Sequence, residues 1–168
     1  DAAGGAQRCI ELAGNPILAG YTASKLPWTA KHRPDAYAKL AHILLPHDYL
    51  NFVLTGQYYC EHGDASGTGW LDVRTRQWSP ELLKATDANR DLAACLPPLV
   101  DADALFDIAP GAAARLGLPA TVKVGAGGGD NMMAAIGTGC VAPGRLAMSL
   151  GTSGTLFASS DVPVVDAG

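Results

Sequence analysis

The sequence predicts a domain of the α/β class, in which strands and helices alternate along the chain. Short apolar runs suited to buried strands are separated by segments that carry helix-start and helix-stop residues. Near the C-terminal end, two glycine-rich stretches, 127–131 and 149–154, each follow a strand-like run. The second stretch is a Gly/Thr/Ser turn, which can point several backbone N–H groups at a phosphate.

Six helices are predicted from their start and stop signals. They cover residues 6–13, 24–32, 46–54, 80–85, 110–116 and 130–136. Three of them begin with a proline, which suits the first helical position: Pro46, Pro80 and Pro110. Three are followed by a glycine that can form the C-cap: Gly14, Gly56 and Gly117. Ser79 is a good N-cap residue, and Pro27 is tolerable only within the first turn of its helix.

Strands are predicted where short apolar runs lack helical signals. They cover residues 40–45, 70–73 and 121–124, and a hairpin is predicted over 146–158. Residues 61–69 are predicted to form a polar, glycine-rich loop, and residues 91–107 a connecting stretch marked by two prolines. The chain has no internal repeat, and its length is ample for one hydrophobic core.

The composition is that of an ordinary soluble domain. Apolar residues make up 48% of the 168 residues, and the formal net charge is −4. Because the chain is mildly acidic and has no Lys/Arg cluster, we expect neither nucleic acid nor an anionic membrane as a partner. The longest apolar runs fall far short of the roughly 18 residues that a membrane span needs.

The cysteines and histidines indicate neither a disulfide framework nor a metal site. The four cysteines lie far apart and form no C-x-x-C pair, which favours reduced thiols in a cytoplasmic protein. The four histidines lack the H-E-x-x-H spacing that puts two ligands on one helical face. No signal peptide is visible. The chain starts without Met and stops in what looks like open chain, so we expect a piece of a larger protein.

Asp130 is the first candidate for chemistry, since it follows three glycines and precedes Asn131. Asp is a favoured N-cap residue, so a capping role alone would explain it. The glycines favour a second interpretation, because a cap does not need such close backbone access, and a carboxylate there can act as a general base. A dinucleotide site is disfavoured, because Asp130 would replace the third glycine of G-x-G-x-x-G and face the pyrophosphate.

The second candidate is the turn formed by Gly151, Thr152, Ser153 and Gly154. An ordinary hairpin turn can have the same composition. As a phosphate site, the turn would use its backbone N–H groups. A general base and a phosphate cradle are together the minimum equipment for moving a phosphoryl group onto an alcohol.

Three further sets of side chains are expected to have structural roles only. The tryptophans are expected to be buried anchors: Trp28, Trp70 and Trp78. Two methionines are expected to fill core space: Met132 and Met133. Three carboxylates are expected to cap helices or lie in solvated turns and not to form a cluster: Glu61, Asp64 and Asp72.

Residues 20–32 resemble the first signature of the FGGY carbohydrate kinases. Thr22, Lys25 and Trp28 stand at its characteristic positions, while Thr29 replaces the usual aliphatic residue, which changes packing and not chemistry. Further segments are similar to the bacterial members of the family that act on D-xylulose: 44–50, 54–56, 64–73, 127–131 and 149–154. The resemblance covers nearly the whole chain, with several motifs in the same order.

The resemblance implies an actin-like (ribonuclease H-like) ATPase fold of two domains, with the active site in the cleft between them. Residues 1–141 would be the later part of the N-terminal, sugar-binding domain. Residues 142–168 would begin the C-terminal, nucleotide-binding domain with its opening hairpin. The resemblance also implies that Asp130 takes the proton from the sugar hydroxyl that attacks the γ-phosphate, and that Asn131 lines the sugar site.

The remaining implications concern ligands. Gly151 and Thr152, with Ser153 and Gly154 in the same turn, would contact the phosphates of ATP, and the ligands of the accompanying Mg²⁺ would lie outside this chain. The implied reaction converts D-xylulose to D-xylulose 5-phosphate. The family's N-terminal phosphate loop, early sugar-binding loop and adenosine site have no counterpart in the sequence, so we expect the chain alone to be inactive.

Two alternatives stay open at this point. The first is another kinase of the same family, acting on glycerol, gluconate or ribulose. The second, from another class, is a nucleotide-dependent interaction module related to actin, which needs phosphate loops but no base placed for a sugar. The glycine-flanked Asp130 and the signature around Lys25 favour the enzyme. A homodimer is compatible with the resemblance.

Overall fold

The computed structural model describes residues 3–152 and 154–165, in which helices and short strands alternate. The α-helices of this part of the chain are α1 (Ala6–Ala13), α2 (Thr22–His32), α3 (Pro34–Ala38), α4 (Pro46–Thr55), α5 (His62–Ser66), α6 (Pro80–Thr86), α7 (Pro110–Leu116) and α8 (Asp130–Gly137). A single turn of 3-10 helix, Ala93–Cys95, lies between α6 and α7. All six predicted helices are present, and α3 and α5 are additional.

The strands are short and pair two by two. Those in the described residues are β1 (Cys60–Glu61), β2 (Leu71–Asp72), β3 (Gln77–Trp78), β4 (Leu99–Val100), β5 (Leu105–Asp107), β6 (Lys123–Gly125), β7 (Leu146–Leu150) and β8 (Gly154–Ala158). The pair β1–β4 is parallel, whereas β2–β3, β5–β6 and β7–β8 are antiparallel. This mixture confirms the predicted α/β class, and the predicted hairpin over 146–158 is present as β7–β8.

Helix ends follow the predicted residues closely. Gly14, Gly56 and Gly117 close α1, α4 and α7 with φ values of 80°, 74° and 65°. This left-handed conformation suits glycine, because a Cβ would clash there. At the start of α6, the hydroxyl of Ser79 accepts a hydrogen bond from the N–H of Leu82 at 3.4 Å, and Pro80 is the first helical residue. These four predictions are confirmed.

Helix α2 begins earlier than predicted, and this changes the position of its proline. The helix starts at Thr22, so Pro27 lies in the second turn and not in the first. Proline has no N–H, and Ala23 therefore lacks the helical hydrogen bond that residue 27 would normally donate to its carbonyl. The carbonyl of Thr68 accepts a hydrogen bond from the N–H of Ala23 at 2.8 Å, so a contact with another segment fixes the helix start.

The predicted strand over residues 40–45 is wrong. Residues 40–45 belong to no strand, and the N–H of Ile43 donates to the carbonyl of Cys95, the last residue of the 3-10 turn, at 2.8 Å. The apolar character of the run has another cause, because Ile43 is buried in the core and packs with Leu92 and Trp70. The apolar run over residues 40–45 thus correctly indicated burial, but it does not pair as a strand.

The predicted loop over residues 61–69 contains the short helix α5. The carboxylate of Glu61 accepts hydrogen bonds from the N–H groups of Gly63 at 2.6 Å and Asp64 at 3.1 Å, and so caps the helix. Glu is not among the preferred N-cap residues, so the start of this helix has no signal in the sequence.

The main core is built around Trp70, which is fully buried. Its indole N–H donates to the hydroxyl of Thr86 at 2.9 Å, which satisfies the one polar atom of the ring. Trp78 is half-buried and donates to the carbonyl of Pro97 at 3.1 Å. The prediction for Trp28 is wrong, because its side chain is 56% exposed and stacks on His32 with ring centroids 4.7 Å apart.

All four cysteines are buried and free. In residues 3–152 and 154–165, the structure shows no helix that is both long and apolar enough to cross a membrane.

Candidate functional site

Asp130 is the first residue of α8 and is exposed to solvent. Gly129 occupies the N-cap position, so the capping interpretation of Asp130 does not hold at that position. The Oδ1 atom of Asp130 accepts a hydrogen bond from the N–H of Asn131 at 2.7 Å. A carboxylate in the first turn interacts favourably with the helix dipole. Asp130 is therefore an accessible acceptor, and Asn131 is exposed beside it.

The conformation of Gly127 and the neighbours of Gly128 and Gly129 favour glycine before Asp130. Gly127 has a φ of +80°, which L side chains rarely adopt. A Cβ on Gly128 would lie 2.7 Å from the Cε of Met133, and one on Gly129 would lie 3.3 Å from the Oδ1 of Asp64. The end of the Met133 side chain is flexible and can move aside, so the contact at Gly128 is a weak restriction. The glycine run, residues 127–129, is thus a tight connection that holds Asp130 at the start of α8.

The two methionines of α8 do not lie in the core as predicted. Met133 is 43% exposed, and Met132 is half-buried. A Cβ built on Gly63, Gly128 or Gly129 would lie 2.7 to 3.3 Å from one of their terminal methyl groups, so these groups lie beside the three glycines. A flexible thioether fills such a space between backbone segments well. The methionines therefore pack between α5 and the glycine run.

Helix α4 supports the start of the glycine run through Asn51. The side-chain amide of Asn51 donates a hydrogen bond to the carbonyl of Ala126 at 2.8 Å. The N–H of Ala126 donates to the carbonyl of Ala104 at 3.1 Å, and Ala126 is fully buried. The Ala126 residue is therefore held through both of its backbone polar groups. Sequence reasoning missed Asn51.

A signal for this role was present in α4. Asp48, Asn51 and Thr55 are spaced so that they share one face of the helix, and all three are buried. A polar stripe on one face of a helix that also carries Tyr, Leu, Phe and Val indicates specific hydrogen-bond partners inside the protein. Only the tertiary structure identifies those partners.

A charged contact lies next to the glycine run. His47 Nδ1 is 3.0 Å from the Oδ1 of Asp48, and His47 Nε2 is 3.0 Å from the Oδ2 of Asp64. Neither N–H is aligned well enough to form a hydrogen bond, so the contacts are ionic. Contact with Asp48, and then with Asp64, raises the pKa of His47 to about 10. The imidazolium thus links the start of α4 to α5.

The three carboxylates that sequence analysis assigned to caps and turns divide into two groups. Glu61 caps α5, and Asp72 accepts hydrogen bonds from the backbone and guanidinium of Arg74 at 3.1 and 2.9 Å, as predicted. Asp64 differs, because it pairs with His47 and touches the space beside Gly129. Its role beside the glycine run was missed.

The candidate phosphate turn lies at the tip of the β7–β8 hairpin. Leu150 pairs with Gly154, so the turn is closed by the last pair of the ladder. Gly151, Thr152 and Gly154 are exposed, whereas Ser153 lies outside the described residues. Within the described part of the chain, no hydrogen bond joins residues 127–131 to this turn. The structure therefore shows two separate candidate elements, one around Asp130 and one in the hairpin.

The donor sets show no cation site. In the described ranges, 3–152 and 154–165, no group of three or more His, Cys, Asp or Glu side chains could hold a metal ion. The expectation that the Mg²⁺ ligands lie outside this chain stays a prediction.

The chain is similar to known sugar kinases over most of its length. A family model described as the FGGY family of carbohydrate kinases, N-terminal domain, matches residues 1–137. A xylulose kinase from Haemophilus influenzae is 44% identical over 164 residues, which cover 97% of this chain and 33% of the relative. This chain thus spans only about a third of the length of such curated relatives.

Solved structures of sugar kinases share the fold. A ligand-bound xylulose kinase from Lactobacillus acidophilus superimposes with a TM-score of 0.86 at 25% identity, covering 96% of this chain and 32% of that one. A gluconate kinase from the same species gives a TM-score of 0.81 at 25% identity, covering 90% and 30%. The architecture is therefore that of the actin-like sugar kinases, as the sequence resemblance implied.

Proposed function

Because the chain belongs to the FGGY family of carbohydrate kinases, we propose that the full-length protein containing it transfers the γ-phosphoryl group of ATP to a sugar hydroxyl. D-xylulose is the proposed substrate and D-xylulose 5-phosphate the product, since curated relatives at 44% and 41% identity are named xylulose kinases. The observation that carries the proposal is an exposed carboxylate, Asp130, at the end of a glycine run in a chain of this family.

Asp130 is proposed as the general base. Phosphoryl transfer has a loose transition state, so the protein contributes mainly positioning and charge stabilisation. A sugar hydroxyl is a poor nucleophile, and a carboxylate within hydrogen-bond reach can accept its proton as the new P–O bond forms. Asn131 follows in the first turn of α8 and offers an amide that can both donate to and accept from sugar hydroxyls. The pair suits adjacent hydroxyls of an open-chain ketose.

The hairpin turn is proposed to hold the phosphates of ATP. Its described residues are small and exposed, and a Cβ on Gly154 would meet only ordinary contacts, with the Leu150 side chain at 3.6 Å the nearest. These features leave the backbone of Gly151 and Thr152 open to a phosphate, so the residues fit the group. ATP supplies the phosphoryl group when bound. Ser153 stays a proposed member of the same site.

The domain division is proposed to follow these two elements. Residues 1–141 would belong to the sugar-binding domain, and residues 142–168 would open the nucleotide-binding domain. The family model, which matches residues 1–137, supports a boundary near this position. The cytoplasmic location and a homodimer also stay proposals, and fractionation and light scattering of the full-length protein test them.

A second candidate substrate is gluconate, because a gluconate kinase shares the fold of this chain. A pair of side chains such as Asp130 and Asn131 does not separate a pentulose from other polyols. We therefore compare kcat/KM for D-xylulose, gluconate, glycerol and L-ribulose in a coupled assay of the full-length protein. D-xylulose is expected to lead by at least about tenfold, which is about 1.4 kcal/mol of transition-state binding. A higher value for another sugar would refute D-xylulose, and no sugar-dependent ATP consumption would refute the kinase itself.

A further inference from the structure

We propose that Asn51 is a positioning residue, whose side-chain amide fixes the Ala126 carbonyl and thereby the glycine run that carries Asp130. The effect of Asn51 on the reaction rests on the proposed function. Its structural role, which is to fix the glycine run, is independent of the proposed function. The two can therefore be tested by separate measurements.

The contact is a buried hydrogen bond between segments far apart in sequence. Asn51 is 8% exposed and Ala126 is fully buried, and the amide nitrogen lies 2.8 Å from the carbonyl oxygen. A hydrogen bond that is shielded from water leaves a costly unpaired group when one partner is removed. The side chain of Asn51 is therefore tied to one backbone atom at the base of the glycine run.

The glycine run needs such a hold because its own residues restrain it little. Glycine populates both signs of φ about equally, so three in succession leave many backbone conformations open. The observed conformation includes a positive φ at Gly127, directly after the residue that Asn51 holds. The Nδ2 atom of Asn51 is also the one atom within 4 Å of a Cβ built on Gly127. Asn51 thus favours one backbone conformation at Gly127, where the run begins.

The rest of the run is bounded from the other side. Asp64 and Met132 approach Gly129, and Met133 approaches Gly128. Asn51 supplies the directional contact, whereas these neighbours supply packing. A misplacement of about 1 Å in a catalytic group can lower the rate about a hundredfold. Release of the Ala126 carbonyl is therefore expected to lower kcat by misplacing Asp130.

Thr55 provides a matched control on the same buried face of α4. Its hydroxyl donates to the carbonyl of Asn51 at 2.7 Å and accepts from the N–H of Gln57 at 3.1 Å. Both contacts are local and do not reach the glycine run. Thr55→Val thus removes a buried polar group of α4 and leaves the Ala126 contact in place.

The experiment compares Asn51→Leu, Asn51→Ala and Thr55→Val in the full-length protein. Leu keeps the branched shape of Asn and removes the donor, and Ala serves if the bulkier Leu variant does not fold. Hydrogen exchange of residues 126–133 is measured by mass spectrometry, together with kcat and both KM values. This segment includes two protected amides, since Ala126 donates to Ala104 and Met133 donates to Gly129. We expect exchange about tenfold faster or more in the Asn51 variants and unchanged exchange in Thr55→Val. We also expect kcat to fall by roughly 10- to 100-fold, with the KM for ATP within about twofold of the wild type.

Two results overturn the proposal. The first is unchanged exchange of residues 126–133 in both Asn51 variants, or equally faster exchange in Thr55→Val. The second is faster exchange with an unchanged kcat, because the hold would then have no part in the reaction. A wild-type protein that consumes no ATP with any sugar refutes the proposed function, while the exchange measurement still decides whether Asn51 fixes the run.

Discussion

The Nε2 atom of His47 lies 3.0 Å from the Oδ2 of Asp64, and this contact joins the first turn of α4 to α5 directly beside the glycine run. The second oxygen of Asp64 stands 3.3 Å from the position that a Cβ on Gly129 would take. Together with the bond from Asn51 to Ala126, it gives the run a support on each side. Helix α4 therefore bonds to the base of the run directly through Asn51, and His47 holds Asp64, which lies beside Gly129.

The His47 contact predicts a pH dependence of stability. The pKa of His47 is raised from 6.5 to about 10, so the folded protein keeps the proton over a range in which the unfolded chain releases it. The stabilisation is complete below about pH 6.5 and is lost as the pH rises towards 10. Denaturant unfolding of the full-length protein should show a wild-type free energy that falls between about pH 7 and 9.5, by less than about 1.4 kcal/mol per pH unit.

His47→Gln should remove this part of the pH dependence. A matched control is His62→Gln, because His62 has only a 3.8 Å contact with the exposed Asp101. The control should keep the wild-type slope. If the unfolding free energy of His47→Gln falls with pH as steeply as that of the wild type, the ion pair of His47 is not the cause of the pH dependence.

The positive φ of Gly127 predicts a strain effect without a steric one. Gly127→Ala should destabilise the protein by about 1–2 kcal/mol, the cost of a left-handed residue with a Cβ. Space is available, because the nearest atom to that Cβ would be 3.9 Å away. Gly111→Ala is the control, since Gly111 lies in α7 with no atom within 4 Å and without a positive φ. Alanine there should be neutral or stabilise by up to about 1 kcal/mol. Equal unfolding free energies for the two variants would contradict this account of Gly127.

The hairpin turn predicts a change in nucleotide binding. Gly151→Val should raise the KM for ATP and leave the sugar KM near its wild-type value, because the side chain would block the approach of a phosphate to the backbone N–H groups. Ala158→Val adds a β-branched side chain at the open end of the same hairpin and should change neither constant. A rise in the sugar KM alone would show that the turn does not serve the nucleotide.

The 168-residue chain alone is predicted to have no kinase activity. It holds one candidate phosphate element and spans about a third of the length of curated relatives such as the one from Haemophilus influenzae. A coupled assay with D-xylulose and ATP checks this prediction. Sugar-dependent ATP consumption by the purified chain would contradict it.

Features set by local sequence were predicted well. The starts of α4, α6 and α7 at a proline and the ends of α1, α4 and α7 at a glycine depend on the backbone preferences of single residues. The β7–β8 hairpin and the position of Asp130 at the start of a helix were also predicted, because a short apolar run and a glycine-rich stretch are local signals.

Features set by tertiary contacts were missed. The exposed position of Trp28 was missed, because tryptophan is usually a buried core residue. The contact between Asn51 and Ala126 spans 75 positions in sequence, and that between His47 and Asp64 joins two helices. A single sequence shows that these residues are polar. It does not show which distant group each of them meets.

The proposed role of Asp130 as the general base is tested most directly by the turnover of Asp130→Asn in the full-length protein. The change keeps the size of the side chain and removes the base, so kcat should fall by roughly 10²–10⁴-fold while the fold is retained. Asp35→Asn is the control, because Asp35 is likewise an exposed carboxylate in the first turn of a helix, and its kcat should stay at the wild-type value. A kcat near the wild-type value in a folded Asp130→Asn protein would remove Asp130 from the mechanism.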